Sequence, residues 1–233
     1  VAAIGSCAGV WHFGTGLSIL SYALYAAVAG GLLAIIALVL SRRAGARTRR
    51  LNLFAIVVSL LFTAYLGNQI VTARSVPAIH DAATDLDDLP QFSKLGVRSD
   101  NLEKIPDNNR PELAELDPES RWKALHREAY ADLRPLRLLQ NPEQVLRRVE
   151  ALARDRSWEV ANVDADAGLL EATDTTTFFR FKDDIVVRVR PDPARRNGSV
   201  VDMRSISRVG GSDIGVNAKR IRAFLQDLQA SAA

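Results

Sequence analysis

Eight charged residues crowd two short stretches of the chain: Arg180, Asp183, Asp184, Arg188 and Arg190 in the first, Asp202, Arg204 and Arg208 in the second. Guanidinium forks hold carboxylates or phosphates through paired N–H donors. The cluster is therefore the candidate ligand-binding set, for an anionic or polar group. The competing reading is a set of cross-strand ion pairs that solvates one sheet face. Other chemistry has thinner support. Ser205, Ser207 and Ser212 lie outside any Gly-x-Ser-x-Gly elbow, and only His80 and His126 follow residue 75; a serine nucleophile needs a base within reach. No catalytic residue is assigned. His80, Asp81 and Asp85 offer one imidazole and two carboxylates on a loop, short of a metal-ligand pattern. Asp164-x-Asp166-x-Gly168 has half the spacing of a calcium loop but falls where a hairpin turn is needed. Ser212-Asp213-Ile214-Gly215 precedes a helix, whose backbone donors hold anions, although capping by Ser212 or Asp213 is the simpler use. No metal and no cofactor is expected.

The elements that position these charges follow from periodicity and punctuation. A short helix is expected over 118–130. Asn141-Pro142-Glu143 starts a second helix, with Asn as cap, Pro in the first turn and an acid beside it; Val145, Val149, Leu152 and Ala153 stripe it through residue 156. Strands are expected from Trp158, over Leu169–Thr175, over Ile185–Arg190 and over Ser199–Ile206, with turns at 164–168 and at Asn197-Gly198. A last helix over 214–229 carries Ile221, Phe224, Leu225 and Leu228 on one face. Helix, four sequential strands, helix predicts an α+β domain: a four-stranded antiparallel sheet with both helices on its apolar face. Alternation puts Ile185, Val187 and Val189 on one side and Asp184, Arg188 and Arg190 on the other. A turn at Asn197-Gly198 brings Arg188 opposite Asp202, with Arg204 and Asp184 expected in the same network.

The first 74 residues are unlike the rest. They hold six Arg and no Asp or Glu, while all 27 acids follow. The high pI, near 9.2 for a chain of net charge +3, is thus owed to this segment and implies no basic nucleic-acid surface. Residues 17–40 contain no charge and suffice to cross ~30 Å of hydrocarbon. A second apolar run covers about 51–71, and residues 1–12 read as part of an earlier span. Between the two full spans lie Arg42, Arg43, Arg47, Arg49 and Arg50. Short arginine-rich loops stay cytoplasmic, which puts the later residues outside, in the periplasm of a bacterium whose inner membrane carries the anchor. The expected division is an anchor over 1–74, an extended linker or strap over 75–118, and the α+β domain over 119–233. Pro77, Pro90, Pro106, Pro111 and Pro118 punctuate the strap, and Ile79, Leu89, Phe92 and Ile105 favour packing along a surface. The single cysteine, Cys7, supports neither a disulfide framework nor a zinc site.

Three stretches carry a family resemblance: Ile79-His80-Asp81-Ala-Ala-Thr84-Asp85, Phe179-Arg180-Phe181-Lys182 through Arg190, and Val201-Asp202-Met203-Arg204-Ser205-Ile206-Ser207-Arg208-Val209-Gly210 with Ser212 through Arg222. In these the chain resembles the DUF1499 family over roughly residues 77–228. The resemblance implies this domain behind a multi-span anchor and supplies no reaction. The leading functional expectation is a membrane-anchored, non-enzymatic accessory or scaffold protein. Its partners would be the lipid bilayer and other membrane-protein subunits, in a complex of respiratory or photosynthetic type. The alternatives are a binding module for an anionic or lipid ligand on the charged sheet face and, weakest, a hydrolase using Asp183 or Asp184.

Overall fold

The computed structural model describes residues 2–40 and 45–231. Arg42 and Arg43 of the arginine cluster lie outside the described residues. The chain forms two compact units: the N-terminal segment through Ser75, grouped with Thr177–Arg180, and the remainder from Val76 onward.

The first unit is helical. A short α1 (Ala2–Cys7) precedes α2 (Phe13–Leu40) and α3 (Ala46–Ser75). Arg47, Arg49 and Arg50 lie in the first turns of α3. By length and composition α2 and α3 are each able to cross a membrane, with mean hydropathy of 2.5 and 1.8 over their most apolar windows. They pack on each other where Gly31 meets Ser59; a Cβ at Gly31 would stand 3.0 Å from the Ser59 Cβ. Elsewhere the helices leave large apolar side chains uncovered, among them Leu33, Ile36, Phe54, Leu61 and Val71.

In the second unit, local signals and packing agree at the starts of two helices. Asp117 accepts from the amides of Glu119 and Ser120 ahead of α5 (Pro118–Ala129). Asn141 accepts from Gln144 ahead of α6 (Pro142–Asp155). Both have Pro in the first turn, where a missing N–H costs nothing. A further turn of helix, α4 (Pro111–Ala114), precedes α5, and α7 (Val216–Ala230) closes the chain. Strands β3 (Glu159–Asp164), β4 (Leu169–Thr175), β5 (Lys182–Pro191) and β6 (Ser199–Ser207) form the antiparallel meander. At the β3–β4 turn Gly168 has φ 66°, and a Cβ there would lie 2.2 Å from the Val189 carbonyl oxygen, so only glycine fits.

The expected four strands are six. β1 (Asp81–Ala83) and β2 (Leu136–Leu138) both pair antiparallel with β6, on the edge that β5 leaves open. β1 covers residues 204–206 and β2 covers 199–201. Each is only three residues long, too short for alternation to mark it. Helix α5 then closes the β1 edge: Trp122 Nε1 donates to the Asp81 carbonyl at 2.9 Å, and the Ala83 N–H donates to His126 Nε2 at 3.1 Å. An edge whose backbone groups are already satisfied cannot recruit another strand.

The core lies between the sheet and the helix pair α6–α7. Val145, Val149 and Ala153 from α6 and Ile221, Phe224 and Leu228 from α7 meet Leu170, Ile185, Val187, Val201 and Met203, all fully buried. The Phe224 ring stacks on Trp158, with centroids 5.1 Å apart. The opposite sheet face is crossed by the segment from Asp85 to about Ile105. This segment makes its contacts through hydrogen bonds and ion pairs, and its Leu86, Leu89 and Leu102 pack, partly buried, against the core.

Candidate functional site on the strapped sheet face

Antiparallel register fixes which charges meet. Arg188 stands opposite Asp202, and Asp184 opposite Ile206 and Thr173. Asp202 is fully buried. Its Oδ2 accepts from Arg188 Nη2 at 3.1 Å and Arg190 Nη2 at 2.7 Å. The strap completes the cluster with Asp88, whose carboxylate accepts from Arg188 at 3.0 Å and Arg190 at 2.6 Å. The hydrogen bond and charge of Arg188 hold Asp88 below the usual carboxylate range. Two guanidinium groups therefore face two carboxylates, and among the described residues the buried Asp202 Oδ1 has no hydrogen-bond partner.

Arg204 belongs to a different group. It was expected in one network with Asp184; instead it forms a buried fork with Asp81, at 2.7 and 3.1 Å. The reason is β1, which lies beside β6 and supplies a nearer carboxylate than any on β5. Asn101 of the strap donates to the same Asp81 carboxylate at 2.7 Å, and its side-chain carbonyl oxygen accepts a hydrogen bond from His80 Nε2 at 3.1 Å. Asp184 pairs with Arg208 through two contacts of 2.8 Å and accepts from Thr173 Oγ1 at 2.7 Å.

Asp183 lies on the other face, and this corrects the idea of a single convergent surface. Strand alternation turns it under α7, where Arg220 joins it at 2.6 Å and Asp174 at 2.9 Å. Ser205, Ser207 and Asn217 fill the same buried polar layer: Asn217 Nδ2 donates to Ser207 Oγ and to the His80 carbonyl, both at 3.0 Å. Arg180 is exposed in the β4–β5 turn, with φ 57°, apart from all these pairs. The eight candidates thus divide into three ion-pair groups on the strapped face, one residue beneath α7 and one turn residue.

The strongest tie on this face was not visible as a candidate. Glu171, in the middle of β4, is fully buried. Burial pushes its carboxyl up, but the Ser93 hydroxyl and the amides of Leu95, Lys94 and Ser93 all donate to it and leave it below its ordinary value. The amide contacts are 2.8 to 3.1 Å. A carboxylate facing three consecutive N–H groups fastens the strap to the sheet. The one sequence signal was an acid inside the apolar stretch Leu169-Leu170-Glu171-Ala172.

Asp164, Asp213 and Asp85 serve local turns and caps. Asp164 accepts from Ala167 within the β3–β4 turn. Asp213 accepts from the amides of Gly215 and Asn217 at 2.8 and 2.7 Å, so the start of α7 already holds a carboxylate. Asp85 caps the turn formed by Asp87 and Asp88.

One part of the face stays open. Where the strap passes the ends of β5 and β6, a groove of about 370 Å³ runs between Lys94, Leu95, Gly96, Val97 and Arg98 on one side and Asp184, Ile206, Ser207 and Arg208 on the other. Two of the eight candidates, Asp184 and Arg208, line it.

Fold and site together define an α+β domain with a six-stranded antiparallel sheet, closed over its charged face by its own N-terminal strap and preceded by a pair of apolar helices. The chain belongs to the DUF1499 family, described as a protein of unknown function, whose family model matches residues 81–228 and so takes in the strap as well as the sheet. No curated protein matches it.

Proposed function

We propose that this chain is a membrane-anchored, non-enzymatic accessory or scaffold protein. In this reading α2 and α3 lie in a bacterial inner membrane, the arginine cluster 42–50 faces the cytoplasm, and the α+β domain stands in the periplasm, where it docks on a larger membrane complex of respiratory or photosynthetic type. The observation that carries the reading is the helix pair: α2 and α3 are only 6% and 0% buried over their most apolar windows. Helices so apolar and so bare need lipid or other membrane helices around them. The charged motif agrees with a structural part, since apart from Arg180 its guanidinium groups and carboxylates are held in ion pairs. Purification in mild detergent followed by mass spectrometry tests the docking. A constant set of membrane subunits co-eluting with the chain is expected; elution of the chain alone, from membranes that retain it, contradicts it.

A second reading, a binding module for an anionic or lipid ligand, is favoured by one observation. The groove under the strap combines cationic side chains with an apolar wall, the mixture typical of ligand sites.

A further inference from the structure

We propose that the groove between the strap and the ends of β5 and β6 binds a single-chain anionic amphiphile, a fatty-acid carboxylate, with its head at Lys94 and its alkyl chain along Leu95 and Val97. This rests on the second reading above and names the ligand class.

Charge comes first. Three cations line the groove, Lys94, Arg98 and Arg208, against one carboxylate, Asp184. Arg208 is committed to Asp184 and Thr173. Arg98 forks onto Asp100 at 2.6 Å and donates to the Gly210 carbonyl at 2.7 Å. Lys94 forms no ion pair with any described residue, while its own amide is fixed on Glu171. The backbone that carries this ammonium is therefore held in place, and the ammonium is left to meet an outside anion. The excess positive charge selects a negative head over a zwitterion or a neutral one.

The wall comes second. Leu95 and Val97 of the strap line the groove, Val97 well exposed, while Ile206 of β6 forms its largely buried floor, and the groove has more apolar than polar surface. A bare inorganic anion would leave that wall wet; an alkyl chain covers it. Gly96 lies between Leu95 and Val97, and a Cβ there would meet no atom within 4 Å.

That glycine supplies a test that spares the fold, because a larger side chain at 96 enters open space. The full chain in phosphatidylcholine nanodiscs is titrated with laurate labelled with carbon-13 at the carboxyl, against empty nanodiscs. A saturable bound carboxylate signal is expected, with one site per chain. Gly96→Phe and Lys94→Glu are each expected to weaken it by at least about tenfold, with melting temperatures unchanged. Dodecyl phosphocholine and acetate, the one lacking net charge and the other lacking a tail, are expected not to compete. If acetate or phosphate competes as well as laurate, the site takes simple anions and the amphiphile assignment falls while the anion reading stands. No signal above empty nanodiscs overturns both, and saturable binding unaffected by either substitution places the ligand elsewhere and overturns the assignment to this groove.

Discussion

At the scale of single residues, buried ion pairs are costlier to break than exposed ones. Arg204 and Asp81 are 7% and 1% exposed at their side chains, whereas Arg110 and Glu128 are 39% and 63% exposed. Removing one member of a buried pair strands the other without water. Arg204→Met is therefore expected to destabilise the domain by ~3–5 kcal/mol and Arg110→Met by less than ~1 kcal/mol, both read by chemical denaturation; equal losses would contradict the role given to the buried pair. His126 gives a pH signature. Its Nε2 accepts the Ala83 N–H, and burial lowers its pKa from 6.5 to about 4. As pH falls, the unfolded chain takes up this proton before the folded one. The stability due to neutral His126 is complete above pH 6.5 and is lost progressively down to about 4, by up to ~3 kcal/mol. Burial raises the Asp213 carboxyl, so that group works in the opposite sense, gaining stability as pH falls toward its unfolded value. Denaturation midpoints across this range should slope for the wild type and flatten for His126→Phe, whatever that variant loses at neutral pH. Which charges pair was partly legible from sequence. Arg188 and Asp202 follow from strand parity and one turn, because both features are local. Asp81, Asp88 and Glu171 were not legible as partners, because a strap distant in sequence brings two of them and a buried acid in a strand has no periodic mark.

At the scale of elements, the long periodic segments were readable and the short ones were not. α6 and α7 announce themselves by stripes of apolar residues at helical spacing, and β4 to β6 by length and bounding turns. β1 and β2 form because β6 has a free edge, which is a property of the assembled sheet. The strap is readable only as prolines and scattered apolar residues; its route over Glu171 is tertiary. The helix layer gives the direct stability test. Phe224 is fully buried, stacked on Trp158 and covered by the Arg156 guanidinium at 5.5 Å. Phe224→Ala should cost ~3–5 kcal/mol. A loss within about 0.5 kcal/mol would mean that this face of α7 does not carry the core.

At the scale of the whole molecule, two unlike parts share one chain: a basic apolar segment without a single acid, and a domain that holds all 27 acids. The division itself was plain in the sequence, because length, hydropathy and charge asymmetry need no tertiary knowledge. The proposed docking was not, because complementarity to another protein leaves no periodic pattern in one chain. The central claim is that the apolar pair anchors the domain on the far side of a membrane from the arginine cluster. Paired reporter fusions after Ala233 test it most directly, with alkaline phosphatase, which is active only in the periplasm, and green fluorescent protein exported by the same route, which is dark there. High phosphatase activity in carbonate-washed membranes with a dark fluorescent fusion is the expected result. A bright fluorescent fusion with inactive phosphatase, or release of the chain by carbonate, would contradict the claim.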